Sequence, residues 1–187
     1  MKKYGLIVIL LLICSCSATY NFDKYIFIPD KEDPNLPAYT ELGYNTFGAK
    51  YGNSYFLSYD NNTFGVDYHG GILDLWLNGR QGSNDMSLTF SFPFSPVHTY
   101  QDLVSLTGTS IDLTDASCNL VMKYKNQKET LIVSNGHLNF KQARILRIDD
   151  TEDRAIISGT FDAQFLRNGL PEVISNGRFD LGITGVN

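Results

Sequence analysis

From Tyr44 onward apolar and polar residues alternate along the chain, most cleanly where Leu88, Phe90 and Phe92 are set against Ser87, Thr89 and Ser91. A period of two puts one set on each face of an extended segment, so these runs predict half-buried antiparallel strands. The pattern returns in Phe161, Ala163 and Phe165 against Thr160, Asp162 and Gln164, and in Phe179, Leu181 and Ile183 against Arg178 and Asp180. Asn-Gly pairs at Asn78-Gly79, Asn135-Gly136, Asn168-Gly169 and Asn176-Gly177 punctuate the runs. Each reads as a hairpin turn, because both residue types adopt positive φ readily. The clearest of them predicts a strand through Val133, a turn at Asn135-Gly136 and a return from His137 to Phe140. Residues 99–106 read as the one helix, with Asp102 supporting the first turn and Leu103 and Val104 facing inward. Residues 22–28 read as an early strand. Runs between turns number roughly ten, which predicts an all-β chain, an antiparallel β-sandwich or barrel. Whether the sheet closes is not legible from alternation alone.

The amino terminus has a different character. Met1, Lys2 and Lys3 precede an apolar run from Tyr4 to Ile13, the charged-then-apolar order of an export signal. A membrane span needs about 20 apolar residues, and this run is half that. Ile13-Cys14-Ser15-Cys16 places a small residue just before a cysteine, a motif that resembles a bacterial lipobox. Cys16 is the expected lipidation point, since bulky Ile13 stands where cleavage before Cys14 would need a small residue. The alternative is an ordinary signal peptide cut near Ala18. The organisation expected is a leader over 1–15, a lipidated amino terminus and flexible tether over 16–41, and a single β-domain over 42–187. Asp30-Lys31-Glu32-Asp33, Pro34 and Pro37 lack the periodicity of a buried element, which is why 16–41 reads as tether.

Charge and cysteine content narrow the classes. The formal net charge is −5, and losing Lys2 and Lys3 with the leader makes it more negative still. That balance argues against nucleic-acid binding, which needs a basic footprint. Beyond the leader only Cys118 accompanies Cys16, so no intramolecular disulfide staple is available. Cys118 lies beside Leu120, Val121 and Met122 and reads as a buried structural residue.

The segment from Pro37 to Ala49, with Ile157-Ser158-Gly159-Thr160-Phe161 and Gly177-Arg178-Phe179-Asp180 near the end, resembles an uncharacterised Bacteroidetes lipoprotein family. The resemblance implies a cell-envelope lipoprotein with an all-β domain and no catalytic residues to carry over, anchored in the outer membrane with its face undetermined. The first acid after Cys16 is Asp23, a departure from the acidic cluster that surface-exposed lipoproteins of this lineage carry.

No constellation for catalysis or metal binding stands out. His69 in Asp67-Tyr68-His69-Gly70-Gly71 faintly resembles a lipase oxyanion loop, but the chain has no G-x-S-x-G elbow, and the segment reads as a turn before a strand over 72–78. His98 and His137 read as loop and turn residues. Asp60-Asn61-Asn62 and Asp67 offer oxygens, yet Phe64 and Gly71 stand where a calcium loop needs donors. No cofactor or metal is expected. The face that invites a ligand is Asp74, Trp76 and Asn78, which alternate with Leu73, Leu75 and Leu77; an aromatic flanked by hydrogen-bonding groups can stack a sugar, with Tyr51, Tyr55 and Tyr59 nearby in sequence. The functional expectation is a non-enzymatic binding or structural module of the envelope that presents its β-domain to a glycan, peptide or partner protein. The rivals are a small-ligand carrier with a barrel cavity, and a hydrolase in which His69 meets an acid or Ser54 in one cleft.

Overall fold

The computed structural model describes residues 24–60, 63–125, 127–148 and 152–185. Ten strands follow one another with a single short helix among them: β1 (Thr46–Tyr51), β2 (Ser54–Leu57), β3 (Phe64–His69), β4 (Ile72–Gln81), β5 (Asn84–Pro93), a 3-10 helix (Tyr100–Leu106), β6 (Ser110–Asp112), β7 (Asn119–Tyr124), β8 (Gln127–Ile148), β9 (Glu152–Arg167) and β10 (Leu170–Ile183). Hydrogen-bonded neighbours run β2-β1-β10-β9-β8-β7-β5-β4, and β2 returns to β4 through Phe56 opposite Gln81 and Leu57 opposite Arg80. The result is a closed eight-stranded antiparallel barrel. Two extra strands lie along it, β3 on β4 and β6 on β8. Closure was the feature that alternation left open, and two residue pairs between β2 and β4 decide it.

Alternation does set the faces. Leu73, Leu75 and Leu77, Met86, Leu88, Phe90 and Phe92, and Phe161, Ala163 and Phe165 are all buried, as period two requires. Aromatic rings meet across the interior, Phe92 on Phe140 at 5.8 Å, Phe140 on Phe179 at 5.7 Å and Phe90 on Phe161 at 5.3 Å between centroids. An eight-stranded barrel is just wide enough for side chains to fill, and here rings from β5, β8, β9 and β10 fill it.

Three of the four Asn-Gly pairs are not turns. Asn168-Gly169 is one, both residues at positive φ between β9 and β10. Asn78-Gly79, Asn135-Gly136 and Asn176-Gly177 lie inside β4, β8 and β10, so the hairpin expected over 133–140 is instead a stretch of the 22-residue strand β8. Their glycines serve close approach. A Cβ on Gly79 would come 2.4 Å from the Leu57 carbonyl oxygen, and one on Gly177 would strike both the Phe161 backbone and its ring. Register shifts between Val133 and Asn135, Phe140 and Gln142, and Ile174 and Gly177 bend the long strands around the barrel.

The helix expected over 99–106 is present, wound as a 3-10 helix whose Leu103 and Leu106 are buried against the core. Asp102 accepts hydrogen bonds from the backbone N–H groups of His98 and Thr99 and from the Thr99 hydroxyl, the first-turn role its position implied. These bonds to the ionised form hold its carboxyl below the usual range.

The stretch read as a flexible tether is a strap against the barrel over its described part, 24–41. The reason is that its acids and prolines have partners on the wall. Arg178 of β10 holds Asp30 at 2.7 Å, Lys50 of β1 holds Asp33 at 2.6 Å, and Tyr55 bonds Asp33 as well. Asp30 also accepts from the N–H groups of Glu32 and Asp33, turning the chain so that Pro29 bridges Pro37 and Leu36 is buried. Pro37 rests on Gly48, where a Cβ would lie 2.6 Å from the proline ring. Residues 24–28 form no strand, and the rest of the early strand expected over 22–28, the leader and Cys16 lie outside the described residues.

Candidate functional site

The outer face of β3, β4, β5 and β7 is where the expected site residues converge. Asp74, Trp76 and Asn78 point away from the core while Leu73, Leu75 and Leu77 are buried, so the alternation read from sequence places all three on one surface. Register then adds what sequence could not. Trp76 stands opposite Gly65 of β3 and Thr89 of β5, Asp74 opposite Asp67 and Ser91, and Asn78 opposite Ser87.

Gly65 determines how Trp76 sits. A Cβ there would lie 2.3 Å from indole Cζ2 and 2.7 Å from Cε2, so the ring lies across the bare backbone of β3. Trp76 stays half-buried in that position, leaving part of the indole open to solvent. Around it, Asp67, Asp74, Asn78, Ser87, Thr89 and Ser91 supply donors and acceptors on the same sheet face.

Asp67 and Asp74 are directly opposed carboxylates, an arrangement that costs free energy in a sheet. His69 Nε2 lies 3.8 Å from Asp74 Oδ2, with the imidazole largely exposed. Asp74 Oδ1 is shut off from solvent and has no hydrogen-bond partner among the described residues. Gly70 and Gly71, both at positive φ, make the turn expected after His69. Ser54, the nucleophile of the hydrolase reading, pairs with Tyr51 at the opposite end of the barrel from His69. His137 lies exposed within β8. Asn61 and Asn62 of the calcium reading lie outside the described residues.

Of the three tyrosines near the site in sequence, only Tyr59 reaches it. A surface cavity of about 590 Å³ adjoins the tryptophan through Asn78 and is lined by Tyr59, Asp85, Ser87, Lys123 and Lys125. Arg80 caps the Tyr59 ring at 4.3 Å and pairs with Asp85 at 3.4 Å. Tyr55 is occupied by the strap. Tyr51 lies at the barrel mouth, its hydroxyl donating to Glu172 and accepting from Arg167, which also pairs with Glu129. Burial and the Glu172 carboxylate push the Tyr51 hydroxyl up to about 12. Arg167 lies over Tyr124 at 5.5 Å, and this group lines a second cavity of about 670 Å³. Every charge there has a partner inside the group, which makes it a brace between β1, β8, β9 and β10.

Cys118 is free, half-buried against the core, and burial pushes its thiol up, away from thiolate chemistry. Among the described residues no group of three or more His, Cys, Asp or Glu side chains is placed to hold a metal ion.

The fold is a closed, side-chain-filled antiparallel barrel with a partly buried tryptophan on its outer wall. Compared with known proteins, the chain matches no family model, no curated protein and no solved structure.

Proposed function

We propose that this is a lipid-anchored cell-envelope protein whose barrel is a non-enzymatic module that binds glycan on the outer face around Trp76. The observation that carries the binding half is the tryptophan itself. Its indole lies over Gly65 on the outer sheet face, partly buried, with six hydrogen-bonding side chains from β3, β4 and β5 around it. The part of the indole that remains open to water is apolar surface that a ligand can cover with a favourable change in free energy. A sugar ring offers the matching surface, an apolar face for the indole and equatorial hydroxyls for the surrounding acids, amide and hydroxyls. The anchoring half is supported by the leader and the small-residue-cysteine motif at Ser15-Cys16.

Trp76 is the chain's single tryptophan, so its fluorescence reports the platform without interference. Titration of the mature protein with a panel of oligosaccharides is expected to shift that emission for at least one member. The same member should bind Trp76→Ala at least tenfold more weakly by calorimetry, while circular dichroism stays that of the parent. A panel that leaves the emission unchanged, or a variant that binds as well as the parent, sinks the glycan reading. The anchor is tested by intact mass of membrane-extracted protein beside Cys16→Ala: an amino-terminal peptide starting at Cys16 with acyl mass is expected, and an unmodified chain starting elsewhere overturns it.

A further inference from the structure

Beyond Trp76 the same face changes sign. Lys123 of β7 stands directly opposite Lys128 of β8, both exposed, and Lys125 lies in the turn between them. Like charges facing one another across strands are destabilising, and a chain of net charge −5 has carboxylates enough to avoid the arrangement. Neither Lys123 nor Lys128 has an ion-pair partner among the described residues. Asp85, the carboxylate that lines the same cavity, is engaged by Arg80. Lys125 leans over the Tyr124 ring at 5.2 Å, which holds its charge near the cavity.

Register relates this basic end to the platform. Asn78, Ser87, Lys123 and Lys128 form one row across β4, β5, β7 and β8, and Trp76 and Thr89 begin the adjacent row. Two strand spacings and two residues separate the Trp76 and Lys123 backbones, about 12 Å, the span of a short oligosaccharide. The cavity of about 590 Å³ begins at the row of Asn78, Ser87 and Lys123 and runs on toward the turn between β4 and β5, on the side away from Trp76. At the other end the face closes with the opposed pair Asp67 and Asp74, which repels anions there. The surface is therefore polar lengthwise, acidic beyond the tryptophan on one side and basic on the other.

We propose that the ligand is an anionic oligosaccharide, seated with a sugar ring on Trp76 and its acidic group at Lys123, Lys125 and Lys128. This rests on the glycan reading above and narrows it to a charge class and an orientation. The acidic group is a carboxylate or a sulfate; both would satisfy the lysines, and both would relieve the Lys123–Lys128 repulsion.

The test uses matched pairs: galacturonic acid trimer and its methyl ester, sialyllactose and its sialic acid methyl ester, and chondroitin sulfate tetrasaccharide and its desulfated form, which loses the sulfates and keeps its carboxylates. The last pair separates a sulfate requirement from a carboxylate one. At low salt at least one acidic member is expected to bind at least fivefold tighter than its less charged partner, with the gap closing in 0.5 M NaCl. The double variant Lys123→Ala with Lys128→Ala should abolish the gap yet leave neutral binding and Trp76 fluorescence as in the parent. Its stability should not fall, since the deletion removes repulsion between exposed groups. Equal binding of acidic and neutral members, or a preference that survives the double variant, overturns the charge assignment and leaves the platform standing. Silence of every member overturns both.

Discussion

Asp180 shows how one residue can hold two parts of this molecule together. Its side chain is buried, and the carboxylate accepts from the backbone N–H of Gly43 at 2.7 Å, Leu42 at 3.1 Å and Tyr44 at 3.2 Å, with the Thr40 hydroxyl as a fourth donor. The chain turns here through Gly43 and Asn45, both at positive φ, and Asn45 returns the favour by accepting from the Gly182 N–H. Asp180→Ala removes the acceptor of the buried Gly43 N–H and of three part-buried donors. The expected cost is about 3 kcal/mol, read as a lower denaturant midpoint with unchanged slope. Asp180→Asn, which retains one acceptor oxygen, should lose less. An alanine variant with the parent's midpoint would show that water replaces the carboxylate at no cost, and that the connection is not what fixes 40–45.

At the scale of elements, the strap over 24–41 and the barrel it lies on should part under acid. Asp30 is held below the usual carboxylate range chiefly by the Asp33 N–H, with the Glu32 N–H and Arg178 adding to it; Asp33 is held there chiefly by Lys50, with Tyr55 adding to it. A lowered folded-state pKa means a contribution to stability that is whole above the ordinary value near 3.8 and is lost as pH falls through the lower, folded one. Amides of the strap, such as Leu36 bonded to the Asp33 carbonyl, are therefore expected to lose hydrogen-exchange protection below about pH 4 while β8 and β9 keep theirs. Asp30→Asn should weaken that dependence; simultaneous loss across strap and barrel would mean they are one cooperative unit. The strap was illegible in sequence because its order comes from partners far along the chain, Arg178 and Lys50, and nothing local marks them. The strands were legible wherever one face is buried, as in β4, β5, β9 and β10. Asn-Gly misled where glycine is needed for the approach of a neighbouring strand, and only pairing reveals that need. The same holds for the site: alternation placed Asp74, Trp76 and Asn78 on one face, whereas Gly65, Thr89 and Lys123 join them through register.

For the whole molecule, closure is the step that costs most. β8, β9 and β10 form a meander of neighbours joined by short connections, whereas β1 must find β10 at the other end of the chain to bring Thr46 opposite Asp180. Loop-closure entropy opposes distant pairings, so they are made late, and barrels with many of them fold in milliseconds to seconds. A destabilising change then divides between the two rates according to when its contacts form. Ile157 is fully buried in β9, between Ala143 of β8 and Leu181 of β10, inside the meander. Ile157→Val, which costs about 1 kcal/mol, should act mainly by slowing folding, with a φ-value above about 0.5. Phe47 is equally buried, in β1 against Phe56, on the closing side. Phe47→Leu should leave folding nearly unchanged and speed unfolding, with φ below about 0.3. Chevron plots of the two variants decide the order: the reverse assignment would mean that closure nucleates the barrel, and that the strap, which bonds to both β1 and β10, assembles with the nucleus rather than after it.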